Sequence, residues 1–323
     1  MDAVLRLVAG IALLVGAAEM VVRGGTRVAA HFRVPPLVVG LTVVAVGTSA
    51  PELAVGIDAA LRGVGTLAVG NVAGTNTANL LLILGLSALI RPMSLHPRAV
   101  RVDLPVMVAA AVALIALSWD GSIDRIDGAV LLIGGVVYMA GTVRSERRRP
   151  DRSPSELELE VESEAETEGP DGVGRNLAIL LTGVVLIVLG ADLLVDAAVD
   201  VAMDLGVSDA FIGLTVVALG TSAPELVTML VSTFRGGRDV AIGNILGSST
   251  LNIVVILAVT ALVPSDGIDV GEHLLRIDLP VMGLATLACI PVFLNDRRIS
   301  RLEGALFFGA YVTYLSTLVL TRT

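Results

Sequence analysis

The sequence predicts an all-α integral membrane protein, with ten transmembrane helices forming two inverted-topology five-helix repeats. Three observations predict it. The 323 residues are 54% hydrophobic and only 16% charged, with a mean hydropathy of +0.85, whereas a soluble domain carries about a quarter charged residues. Apolar runs recur along the whole chain, each near the ~20 residues that a helix needs to cross a bilayer. Segment 40–90 also returns as 213–263 without a gap, at an offset of 225 − 52 = 173, with 25 of 51 positions identical.

The elements follow in order. The first span, 2–22, is apolar throughout with Glu19 near its end; it has no small-residue cleavage site and reads as a retained helix, not a signal peptide. The second, 35–61, carries GLTVVAVGTSAPEL from Gly40, and the third, 65–90, carries GNVAGTNTAN from Gly70. The fourth, 101–119, opens on RVDLPVM at Arg101–Met107, and the fifth is 126–143. The sixth to tenth spans, 176–203, 208–234, 239–263, 277–294 and 301–321, repeat the order: GLTVVALGTSAPEL from Gly213, GNILGSSTLN from Gly243 and RIDLPVM at Arg276–Met282. Residues 1–143 are thus a first transmembrane repeat and 176–323 a second. A barrel would show ten-residue alternating segments instead.

Between the repeats, 144–175 is a hydrophilic linker. Its Arg147–Arg149 cluster can meet anionic headgroups. Its Glu156, Glu158, Glu160, Glu162, Glu164, Glu166 and Glu168 occupy every second position, the composition of a solvated tether more than of a regulatory calcium site.

All 22 basic residues are Arg. With the N-terminus outside and ten spans, 17 of the 22 fall in loops expected inside, leaving Arg6, Arg62, Arg125, Arg276 and Arg322 outside. This predicts a multi-pass protein of the cell membrane, both termini extracellular and the linker cytoplasmic. Five spans per half is odd, so the halves must be inverted, with a site expected near the midplane where they meet.

The same residues exclude several functions. Without Lys there is no Walker A motif and no Schiff-base Lys, so no ATP is expected to act on this chain. The linker alone contributes 6 − 10 = −4 of the net charge of −9, and no nucleic acid is expected. One Cys, Cys289, gives neither a disulfide framework nor a thiolate site. There is no HExxH motif, and Ser49 and Ser222 have no nearby His base, so no enzyme is predicted. His31, His96 and His273 fall in or near loops and read as solvated.

What remains is the repeated polar set. Carboxylates at membrane depth are costly and mark function by default, and here Glu52 is matched by Glu225. Thr48 and Ser49 precede Glu52 by four and three residues, spacings that put both hydroxyls on the face of the carboxylate in a helix, and Pro51 frees carbonyls near Ala45 and Gly47. Asn71, Thr75 and Asn79 follow at i, i+4 spacing. The second repeat supplies Thr221, Ser222, Pro224, Glu225, Asn244, Ser248 and Asn252. Carboxylate, amide, hydroxyl and carbonyl oxygens suit hard cations such as calcium and sodium. Two ionised Glu balance one calcium or two sodium ions, and ions that share one alternately exposed site compete, which yields antiport; protons compete for the same carboxylates. Glu19, Asp192, Asp103 and Asp278 lie toward helix ends and read as interfacial caps or partners of Arg, and Asp58 as a vestibule residue.

The paired GTSAPE segments, with GNVAGTNTAN and GNILGSSTLN, resemble the two α-repeats of the sodium/calcium exchanger family, prokaryotic type, within the cation/calcium antiporter superfamily. The resemblance covers essentially the whole chain. It implies that Glu52 and Glu225 are the central cation ligands and that Thr48, Ser49, Thr221, Ser222, Thr75 and Ser248 line the site. Carbonyls of Ala45 and Ala218 would join them, and Asn79 and Asn252 would complete the centre. The first and sixth helices would slide against the other eight. Some archaeal members carry Asp where Asn252 stands, which bears on a three-sodium stoichiometry. Thr75 replaces the more usual Ser. The proton/calcium branch has a Glu after its Gly-Asn pair, absent from Val72–Gly74 and Ile245–Gly247. The expectation is a calcium-for-sodium antiporter with no cofactor beyond its transported Ca2+ and Na+, membrane lipid around it and no obligate protein partner. A potassium, sodium/proton or calcium/proton antiporter on the same fold is the alternative, followed by a passive cation channel.

Overall fold

A computed structural model describes residues 2–32, 36–147, 171–204, 218–235 and 238–322. The linker glutamates, Arg33 and the 208–217 start of the predicted seventh span lie outside those residues. The fold is helical, and among the described residues seven helices are long and apolar enough to cross a membrane, with an eighth if a bent pair counts as one span.

The first helix, α1 (Asp2–His31), runs nine residues beyond the apolar stretch that predicted it. Its extension stays helical because Val28 and Ala29 are buried while Arg23 faces outward and bonds Glu19 one turn back. Helix α7 (Asp171–Asp204) lies along α1. Small residues let the two backbones approach: a Cβ on Gly10 would sit 3.0 Å from the Leu194 nitrogen, and one on its counterpart Gly183 would sit 3.0 Å from the Ala17 carbonyl. Arg6 of α1 pairs with Asp200 of α7.

The second predicted span is two helices, α2 (Leu37–Thr48) and α3 (Ala50–Leu61), bent by 44°. Helix α4 (Gly65–Ile90) follows. The second repeat supplies α8 (Ala218–Thr221), α9 (Ala223–Arg235) and α10 (Arg238–Leu262), after α5 (Ala99–Asp120) and α6 (Arg125–Arg147) of the first; α11 (Leu274–Leu294) and α12 (Arg301–Arg322) complete the chain. Helices α4 and α10 form the centre: 72% and 83% of their apolar windows are buried, against 22–44% for the other candidate spans. Both contain a π-helical turn, Ala78–Ile83 and Asn252–Leu257. Helix α2 crosses α10 where Gly40 meets it, leaving room for no side chain: a Cβ there would be 2.5 Å from the Val240 carbonyl.

Two short ribbons tie the loops. β1 (Met93–Ser94) pairs antiparallel with β4 (Arg298–Ile299), and β2 (Ser122–Ile123) with β3 (Ile268–Asp269). Helix α5 separates β1 from β2, and α11 separates β3 from β4, so the ribbons sit at opposite ends of these helices. Asp103 and Asp278, expected as interfacial caps, are buried and make no cap bonds. Asp103 accepts the Tyr138 hydroxyl at 3.0 Å and faces buried Arg98 at 3.4 Å, which fulfils the Arg-pairing half of that expectation. Asp278 accepts the Tyr314 hydroxyl at 2.6 Å. These bonds join α5 to α6 and α11 to α12, because a carboxylate buried among apolar helices needs a donor that water cannot supply.

Candidate functional site

Each repeat delivers its Pro-Glu pair to the start of a helix. Ser49 leaves the helical path between α2 and α3, with φ −86° and ψ 10°. Pro51 falls in the first turn of α3, where its missing N–H is tolerated. Glu52 occupies the same turn, whose unpaired N–H groups favour negative charge. The α9 start repeats this with Glu225 in its first turn. The Leu226 N–H donates to the Ser222 carbonyl at 3.0 Å, as the Leu53 N–H donates to Ser49 at 3.2 Å. Proline deprives the carbonyl four residues earlier, that of Gly47, of its helical donor. The Ala45 carbonyl is not freed with it: it accepts the Ser49 N–H at 3.0 Å and lies 3.4 Å from the Thr48 hydroxyl. The break begins after Ser49, one residue too late to strip Ala45.

The two repeats meet through these residues. Glu52 and Glu225 are both 0% exposed. Glu225 Oε1 accepts the Ser49 hydroxyl of the other repeat at 3.4 Å and the Ser248 hydroxyl at 3.3 Å. The Thr48 hydroxyl donates to Asn244 Oδ1 at 3.2 Å and lies 3.3 Å from Ser248 Oγ. Asn79 and Asn252 stand at the π turns of α4 and α10, and Thr75 is buried one turn before Asn79. Thr221 is half-buried, and the Ala218 backbone begins α8.

Unsatisfied oxygens collect here. Both carboxylate oxygens of Glu52, Glu225 Oε2, both polar side-chain atoms of Asn79, Asn252 Oδ1 and Ser222 Oγ are buried without a hydrogen-bond partner. Each orphaned group costs about 1–3 kcal/mol, and a carboxylate more. Such a concentration has a chemical reading, since a hard cation takes donor-free oxygens as its ligands. Among the described residues no group of three or more His, Cys, Asp or Glu converges, and the acidic side chains at this centre are Glu52 and Glu225.

Sequence reasoning passed over Asn76. Its Nδ2 donates to the Ser249 carbonyl at 2.9 Å, and its Oδ1 accepts from Asn252 Nδ2 at 3.2 Å. Matched pairs guided the reading, and position 249 is Ser, so Asn76 gave no duplicate to notice. Its place one residue after Thr75 was the available signal. Asp58 lies apart, exposed and paired with Arg62 at 2.9 Å. His31 and His273 are exposed as expected, whereas His96 is half-buried and its Nδ1 accepts the Arg98 N–H at 3.2 Å.

Fold and site define a multi-pass helical membrane protein with a buried, oxygen-lined centre bearing two carboxylates. The family model described as sodium/calcium exchanger protein matches residues 3–143 and 175–320. The chain is 34% identical to the inner membrane protein YrbG of Escherichia coli over 97% of its own length and 95% of that protein's. It is 29% identical to the sodium/calcium exchanger MaX1 of Methanosarcina acetivorans over 97% of both. A solved structure of the sodium-calcium exchanger NCX_Mj, soaked with 2.5 mM Na+ and 0.1 mM Ca2+, superposes with a TM-score of 0.83 at 30% identity, covering 98% of this chain and 99% of that one. The chain belongs to the sodium/calcium exchanger family, whose members are transporters and not enzymes.

Proposed function

We propose that this chain is a secondary antiporter that exchanges calcium for sodium by alternating access. The observation that carries the reading is the pairing of Glu52 with Glu225 at a centre where Glu52 has no hydrogen-bond partner for either oxygen. Two carboxylates give a charge of about −2, matched by one calcium or two sodium ions, so the ions exclude one another. Thr48, Ser49, Thr75, Thr221, Ser222 and Ser248 complete the ligand sphere with Asn79, Asn252 and the carbonyls of Ala45 and Ala218. The Ala45 carbonyl keeps a lone pair for this role beside its helical bond.

Ten spans in two inverted repeats, 1–143 and 176–323, frame the site. The ribbons support the inversion. Counterparts are β1 with β3 and β2 with β4, so the operation relating the repeats carries ribbon β1–β4 onto ribbon β3–β2 at the other end of α5. The Arg bias puts both termini outside and residues 144–175 in the cytoplasm.

The test is calcium uptake into sodium-loaded proteoliposomes diluted into sodium-free buffer. Uptake that requires internal sodium and vanishes in Glu52→Gln bears out the reading. Uptake that ignores sodium and follows a proton or potassium gradient replaces the ion pair and keeps the site.

A further inference from the structure

Buried hydroxyls on membrane helices can bond the carbonyl one turn back, and several do so here. Thr26, Thr77, Thr233, Thr250, Thr260 and Thr286 each donate to residue i−4 at 2.7–2.8 Å. Thr228 and Ser232 do not. Both are 0% exposed, and neither Thr228 Oγ1 nor Ser232 Oγ has a partner. They follow Glu225 on α9 at i+3 and i+7, so the three lie on one helix face. This face is separate from the one that packs on α1 through Val227 and Val231.

A third unpaired hydroxyl belongs to the same region. Ser87 of α4 is 0% exposed and its Oγ has no partner. One turn on, Arg91 donates to the Thr233 carbonyl at 3.3 Å, which sets the end of α4 carrying Ser87 beside the end of α9 carrying Ser232. The arrangement is one-sided. At the offset of 173, Thr228 and Ser232 correspond to Val55 and Ala59, and Ser87 corresponds to Thr260, whose hydroxyl is bonded to Ile256. The first repeat has nothing equivalent on its own side.

We propose that Thr228, Ser232 and Ser87 line the half-passage between Glu225 and the membrane face where α4 and α9 end, and give the passing cation an oxygen-lined resting position. Seven residues of helix put it roughly 10 Å from the carboxylates. It takes a partly dehydrated alkali or alkaline-earth cation, because hydroxyl oxygens without donors replace water around such ions. The opposite half-passage, lined by Val55 and Ala59, offers no such stop. Loading from the two faces therefore differs in kind.

The proposal rests on the antiport reading and on the orientation proposed with it from the Arg bias, which makes the α4–α9 face cytoplasmic. Its test is the double variant Thr228→Val/Ser232→Ala, which installs the first repeat's own residues. Calcium transport is measured in inside-out and right-side-out membrane vesicles. The KM for calcium presented at the cytoplasmic face rises about fivefold or more, the KM at the outer face stays at the wild-type value, and Thr228→Ser/Ser232→Thr, which keeps both hydroxyls, restores the first. Unchanged constants at both faces, an equal change or loss at both, or failure of the hydroxyl-retaining variant to restore transport overturns the proposal. Wild-type vesicles without sodium-dependent calcium transport would instead remove the antiport reading.

Discussion

Asn76 fixes which end of the Asn252 amide faces inward. Its Nδ2 donates to the Ser249 carbonyl, which can only accept, so its Oδ1 faces Asn252 and must receive a donor. Asn252 therefore turns Nδ2 toward Asn76 and leaves Oδ1 unpaired in the buried centre. A backbone carbonyl on α10 thus sets, through two amides, the polarity of a side chain three residues further along the same helix.

Breaking this relay alters affinity more than folding. In Asn76→Leu the Asn252 amide loses its orientation, and a hydrogen bond worth about 1 kcal/mol no longer selects the oxygen. The KM for calcium is expected to rise several-fold while the purified protein keeps its elution profile. An unchanged KM would show that the relay does not orient a ligand.

Glu52→Gln and Glu225→Gln each remove one of the two negative charges at the centre while keeping side-chain volume. Exchange in proteoliposomes is expected to fall to background in both, with helical content unchanged by circular dichroism. Wild-type transport in either variant would remove the paired-carboxylate site.

Arg98→Ala strands a buried carboxylate. Asp103 loses its charged partner, and breaking a buried pair from one side costs about 3–5 kcal/mol. Tyr138→Phe removes a single neutral donor and costs about 1–3 kcal/mol. Thermal unfolding in detergent should place Arg98→Ala lowest and Tyr138→Phe between it and wild type, and a wild-type midpoint for Arg98→Ala would mean that Arg98 contributes nothing to holding Asp103.

Deleting Ser155–Glu168 shortens the acidic tether and touches neither repeat. Sodium-dependent calcium uptake is expected to keep its wild-type rate and calcium dependence. Loss of activation by calcium in the deletion would make the glutamate row a regulatory site.

Much of the candidate site was legible because duplication exposes it. Glu52 with Glu225, Asn79 with Asn252 and Ser49 with Ser222 stand out as matched polar positions in apolar surroundings, and chance does not repeat such a set at one offset. Asn76 was invisible to the same logic, since its partners Ser249 and Asn252 lie on another helix and its counterpart is Ser. Asp103 and Asp278 were misjudged in part because a position near a helix end does not reveal whether a Tyr from the next helix reaches back.

By itself the sequence determined that the chain is a helical membrane protein and which polar residues occupy matched positions in its repeat, because hydropathy and repetition are local or self-referential signals. Tertiary structure alone decided which oxygens are left without donors. That depends on contacts such as Ser49 with Glu225 and Asn76 with Ser249, 176 and 173 residues apart. A hydrogen bond is satisfied or orphaned by the neighbour that folding brings, and spacing along the chain does not record it.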